Sequence, residues 1–247
     1  MIIVRSYSKW KCSNSKTNSL KDFALNVCGL ISKLRAPELE EICENYDILC
    51  FSESKFDEFD NVHIQHFVQH PPVIRSGAKC KSGGVVFFFK SPIFVNTEVL
   101  KSSSENVLWF ILKDVLYAPV LFGAMYIPPE NSIYSSIDFI DVIEDDILKF
   151  VAEKNCNVCL LCVFNVRSGT KDDFVNLDDY VCNTVQLDDV LKQEFDLVNL
   201  DILGINCKRV SLVKFVNNYG NRLLVLCQNL NLLIANGRLG KDKMLVP

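Results

Sequence analysis

No run in the sequence approaches the roughly 20 apolar residues of a membrane span. The opening nineteen positions are polar, without the long apolar core of a signal peptide. A surplus of positive charge is missing as well: the net charge is −4 and the pI about 5.5. That excludes a chain-wide electrostatic grip on nucleic acid and leaves only a local basic patch for such a contact. The 11 cysteines are odd in number and scattered through apolar segments, among them Cys28, Cys43, Cys50, Cys159 and Cys227. This pattern suits small buried thiols in a reducing compartment better than a disulfide framework. Internal repeats and linker-like breaks in composition are also lacking. These absences predict a soluble, intracellular protein of the nucleus or cytoplasm.

What is present fills a core. A chain of 247 residues that is 49% hydrophobic can build one large α/β domain, or at most two small ones. Residues 1–20 are rich in Ser, Asn and Lys and read as a flexible basic arm, which leaves 21–247 as the domain. Val158 to Gly169 opens as an unbroken apolar run and closes on Asn165, Arg167, Ser168 and Gly169. Such a run between helical patterns predicts a strand buried on both faces. Asp47 to Phe51, Val85 to Phe89, Val107 to Leu112 and Val120 to Tyr126 predict further strands, the last two as a hairpin. Helical spacing marks Ser32 to Asn45, a stretch through Ile137, Ile140, Ile143, Ile147 and Phe150, and Gly220 to Leu230. A short last strand is expected at Leu232 to Ala235. Residues 54–82 carry few periodic signals and read as loop. The acidic stretch 171–203 reads as helical in part.

Hairpins among helical crossovers argue for a mixed-sheet α/β domain. In open α/β architectures the chemistry lies beyond the carboxyl ends of strands. Polar residues recur at such ends: Asn26, Glu53, Tyr126, Asn165 and Asn236. Together they suggest a shared rim.

Their order and spacing resemble the endonuclease/exonuclease/phosphatase superfamily, and more narrowly the apurinic-endonuclease-like domain of non-LTR retrotransposons. Leu25 to Leu30 is similar to the family's Asn-Val-Asn-Gly-Leu opening, and Asp47 to Lys55 to its Asp-Ile-Leu-Cys-Leu-(Ser/Thr)-Glu-Thr. Ser82 to Val85, Tyr126 to Pro129 and Asn236 to Arg238 fit as well. Cys162-Val163-Phe164-Asn165 stands where the family has Gly-Asp-Phe-Asn. The resemblance implies a four-layer α/β sandwich of two mixed sheets flanked by helices. It implies Mg²⁺-dependent hydrolysis of DNA phosphodiesters, with a reverse transcriptase domain as companion in a full-length element. It assigns the metal to Asn26 and Glu53, catalytic roles to Tyr126 and Asn165, and a substrate contact to Asn236. Hard carboxylate and carbonyl oxygens are the ligands Mg²⁺ prefers.

Two departures stand against full activity. Val163 replaces the family Asp that orients or deprotonates the attacking water. The family's last strands and their Ser-Asp-His motif have no counterpart before Pro247, and His63, His66 and His70 lie in the wrong part of the chain to substitute. The expectation is a catalytically impaired copy. The alternatives are an active endonuclease with a compensated site and a non-catalytic interaction module.

Overall fold

The computed structural model describes residues 2–5, 20–74, 81–102, 104, 106–116, 118–136, 138–174 and 206–238. Most of the N-terminal arm, most of the acidic stretch, Ile137 and the last nine residues fall outside them. The chain divides into two compact units, one of Met1–Ile2 and Ser6–Asn165, the other of Ile3–Arg5 and Val166–Pro247. The sequence reading placed a single domain over 21–247.

The first unit holds two mixed sheets with helices outside them. Its first sheet has β2 (Asp22–Asn26), β3 (Ile48–Ser52), β4 (Phe67–Gln69) and β5 (Val85–Lys90) in the order β2-β3-β5-β4. Only β2 and β3 run parallel. The second sheet takes β6 (Thr97–Leu100), β7 (Val107–Leu112), β8 (Val120–Ile127) and β9 (Asn157–Phe164), with β8 and β9 parallel and the other pairs antiparallel. Both parallel pairs are joined by helical crossovers. These are α1 (Pro37–Asn45) between β2 and β3, and α3 (Phe139–Lys154) between β8 and β9. A one-turn helix α2 (Ser91–Phe94) follows β5.

The pleat explains why these strands are apolar throughout. Alternate side chains of a strand point to opposite faces. On β5, Val86 and Phe88 join Leu49 and Phe51 of β3 in a cluster beneath Leu39 of α1. Phe87 and Phe89 point the other way and meet the Phe110 ring of β7 edge-on at 4.9 and 4.8 Å. A strand packed on both faces has no polar positions to spare. On β7 the same alternation sends Trp109 outward to α3, where its ring lies 5.9 Å from Phe150. The layers are therefore helix, sheet, sheet, helix. Ile140, Ile143, Ile147 and Phe150 are the buried stripe of α3. Asn155 closes that helix in the left-handed region, its N–H donating to the Val151 carbonyl.

Two local features fix the packing of Trp109. Its indole Nε1 donates to the buried Asp146 carboxylate of α3 at 2.8 Å, and Ser102 Oγ donates to the same oxygen. Its ring covers Gly123, the residue opposite it in the β7–β8 register. A Cβ at Gly123 would stand 2.2 Å from the ring. Only glycine fits there while the indole is seated.

Residues 54–82, read as loop, contain β4 and a bridge between Val73 and Val85. Three residues among histidines and prolines are too few to show a period, but they complete the edge beside β5. Sequence reading also missed β6, whose exposed positions and Glu98 mark it as an edge strand. Lys113 and Lys154 both pair with Glu98 there.

The second unit contains all of β1 (Ile2–Arg5) but Ile2, with α4 (Asn218–Asn229) and β10 (Leu233–Ile234). β1, within the stretch read as a loose arm, pairs antiparallel with β10 through Ile3–Ile234 and Val4–Leu233. Asn217 caps α4 by accepting from the Gly220 N–H at 2.8 Å. Leu223, Leu224, Leu226 and Cys227 are its buried face.

One carboxyl in the first unit is poorly placed. Asp22 opens β2 with its Oδ2 buried and unbonded among the described residues. Burial raises its pKa above the ordinary 3.8. In strong acid both folded and unfolded chains hold the proton, and no penalty arises. As pH rises past the unfolded value the unfolded chain ionises first, so the folded state loses ground until its own raised pKa is passed. Asp22→Asn should therefore raise the urea midpoint at neutral pH, with the gain shrinking in acid. An equal or larger gain in acid would contradict this.

Candidate active site

The site is built where β2, β3 and β5 share one end of their sheet. Asn26 is the last residue of β2 and lies opposite Ser52, the last of β3. Glu53 follows directly. Backbone bonds knit the outgoing loops: Gly29 N–H donates to the Glu53 carbonyl, Leu30 N–H to Ser54, Ser54 N–H to Gly84 and Lys55 N–H to Gly83. Gly84 has φ +84°, and a Cβ there would sit 2.9 Å from Ser54 Oγ. The sequence Ser82-Gly83-Gly84 thus lets two backbones approach.

Three residues that are not glycine hold left-handed backbone at this rim: Cys28 (φ 47°), Glu53 (φ 51°) and Lys55 (φ 55°). Each costs on the order of 1 kcal/mol relative to the ordinary regions. The surrounding hydrogen bonds hold them there. The conformation turns the Glu53 side chain off the line of its strand, and the carboxylate is half-buried.

The second sheet contributes Tyr126, near the end of β8. Its hydroxyl donates to Glu53 Oε1 at 3.4 Å, a long bond. Two residues distant in sequence and carried by different sheets are thereby in contact. Asn165 lies just past β9, and its Nδ2 donates to the Ile127 carbonyl at 2.8 Å. It ties the ends of β8 and β9 together on the Tyr126 side. Val163 stands opposite Tyr126 in the β8–β9 register and has no polar side-chain atom.

Asn26, Glu53, Tyr126 and Asn165 are thus all at strand ends of the first unit, with Glu53 and Tyr126 in contact. The Asn26 side-chain oxygen accepts from the Cys28 N–H at 3.1 Å, which orients the amide. Asn236 belongs to the second unit, exposed in the turn after β10. Its neighbour Arg238 is buried and serves that unit's interior.

Sequence reading missed Lys55 as a participant. Its ammonium donates to Cys28 Sγ at 3.3 Å and brings a cation to the loop that carries Asn26 and Glu53. The residue closes the Glu53 motif, so the signal was present, but nothing in the sequence pairs it with Cys28.

Glu53 and Asn26 offer one carboxylate and one amide oxygen to a hard cation. That set fits Mg²⁺, which keeps several waters and binds through one or two carboxylates plus substrate phosphate. No group of three or more His, Cys, Asp or Glu that could hold a metal occurs among the described residues. No helix among the described residues is long and apolar enough to cross a membrane.

No family model and no curated protein matches the sequence. Among solved structures the chain is similar to the catalytic domain of Xenopus laevis APE2, at 16% identity and a TM-score of 0.45, over 66% of this chain. It spans 64% of that domain's length. It is also similar to an AP endonuclease from Archaeoglobus fulgidus, at 16% identity and a TM-score of 0.44, covering 76% of this chain and 72% of that one. The 3′ phosphatase NExo from Neisseria, bound to product DNA hairpin, gives 17% identity and a TM-score of 0.45 with the same coverage.

Proposed function

We infer that the chain is a nucleic-acid phosphodiesterase of the endonuclease/exonuclease/phosphatase type, of retrotransposon ancestry, with its hydrolytic step impaired. One observation carries the reading. Glu53 is held in left-handed backbone at the end of β3, and Tyr126 reaches it from the other sheet. Strained backbone clusters at functional sites, and an acidic residue at a strand-end rim is placed to meet a metal and a phosphate. The motif order from Asn26 to Asn165 supports the same reading.

Each residue has a role in it. Glu53 and Asn26 would hold Mg²⁺, which supplies charge neutralisation at the phosphate. Tyr126 would donate a hydrogen bond from its hydroxyl to a phosphate oxygen, trading its long bond to Glu53 for a shorter one. Asn165 keeps the β9 end in place against β8 and aids the placing of the attacking water. The water itself finds no base, because a valine occupies the family's Asp position. DNA is the substrate class, and a reverse transcriptase domain is the companion in a full-length element.

The metal role of Glu53 is testable without cleavage. Mn²⁺ titrated into the protein and followed by electron paramagnetic resonance should show weak binding that Mg²⁺ displaces. Glu53→Gln, which keeps size and hydrogen bonding but removes the charge, should abolish most of it. Unchanged binding in Glu53→Gln would take the metal role away from this rim.

A further inference from the structure

We propose that Arg167 and Phe215 of the second unit form a stacking platform for unpaired nucleobases. This rests on the nucleic-acid reading above and names the form of substrate the chain holds. Among the described phenylalanines most are buried or partly buried, whereas Phe215 is 55% exposed and Phe59, in the first unit, 85%. The Arg167 guanidinium carbon lies 4.5 Å from its ring centroid. Leu212 and Val213 are exposed beside it in sequence, at 67% and 38%.

The platform is fixed in position. Asn217 Oδ1 accepts from the Arg167 N–H, and the Asn217 N–H donates back to the Arg167 carbonyl. Ser168 and Val216 form a β-bridge between the same two segments. The two stacked side chains therefore rise from backbones already bonded together, and little ordering is left to do on binding.

Charge points to the occupant. The protein is acidic, yet from Ile202 to Lys241 there is neither Asp nor Glu. Lys208, Lys214 and Arg222 fall in that stretch, and Lys208 and Lys214 are exposed. A purely apolar partner would not call for this. A strand of nucleic acid presents both phosphates for the cations and π-faces for the ring. An aromatic side chain with a guanidinium against it is the combination single-strand binders use. Duplex DNA hides its base faces and would engage only the cations.

The test is fluorescence anisotropy with a labelled oligothymidylate and a blunt duplex of equal length. It uses the full chain with chelator present, so hydrolysis plays no part and the platform stands or falls apart from the Glu53 site. The single strand should bind tighter than the duplex. Phe215→Ala should weaken single-strand binding roughly tenfold and leave the duplex almost unchanged. Phe215→Trp should keep or improve the single-strand affinity, which guards against a folding artefact. Lys214→Ala should weaken both forms and flatten the salt dependence. Three results would overturn the proposal: no single-strand binding, wild-type affinity in Phe215→Ala, or an equal loss on both forms. The last two would leave the exposed ring to a protein partner.

Discussion

Asp173→Asn is expected to cost about 3–5 kcal/mol and to loosen the second unit. Asp173 is fully buried and accepts from Arg238 Nη1 and Nη2, both at 2.7 Å, and from the Ile234 N–H at 2.6 Å. Arg209 is buried alongside, its Nε 3.9 Å from Asp173 Oδ2 and without a hydrogen-bond partner among the described residues. Burial pulls the Arg209 pKa down, and the Asp173 charge opposes this. One carboxylate thus answers two guanidinium groups. The asparagine would remove the carboxylate that faces both in a place where charge is poorly solvated. Arg209→Met should cost less, because Asp173 keeps its bidentate partner. Hydrogen exchange across Asn218–Asn229 in the full chain reports on the right unit. Loss of protection there in Asp173→Asn is the expected result, and wild-type protection would contradict it.

That triad was illegible in the sequence. Its members are separated by long stretches of chain, and an Asp or Arg in a loop reads as solvated surface until its neighbours are known. The Asn236-Gly237-Arg238 run was noted for its first residue, while its buried arginine is the one held by Asp173. Other features were plain. The run from Val158 and the Val107–Leu112 and Val120–Tyr126 pair read as strands because burial on both faces leaves an apolar signature. The strands β4 and β6 are three- and four-residue edges, mostly half-buried, and too short to show an alternation in the sequence. At the rim, Asn26, Glu53, Tyr126 and Asn165 were recognisable as strand-end polar residues in a familiar order. The Glu53–Tyr126 contact depends on how two sheets pack, and the left-handed turn at Glu53 on bonds to loops elsewhere in the chain. Neither has a local signal.

The second large effect concerns rate. DNA nicking in Mg²⁺ should run about a hundred- to ten-thousand-fold below that of an enzyme with a positioned base. Val163 can neither accept a proton nor orient water. The other residues of the Val158–Gly169 run include no carboxylate to replace it. Val163→Asp should recover only a small part of the deficit. The tip that carries it also has Cys162 where the motif it resembles has glycine, and groups that act as a unit do not restore rate singly. A full recovery in Val163→Asp would show that the rest of the site is intact.

Plasmid relaxation by the purified full chain tests the central claim most directly, with Glu53→Ala as the paired variant. The account predicts slow Mg²⁺-dependent nicking that disappears in Glu53→Ala. Nicking as fast as that of a nuclease with a positioned base, and lost in Glu53→Ala, would show that a group other than Val163 supplies the base and would contradict the impaired reading. Nicking that persists unchanged in Glu53→Ala would place the chemistry away from the β3–β8 rim.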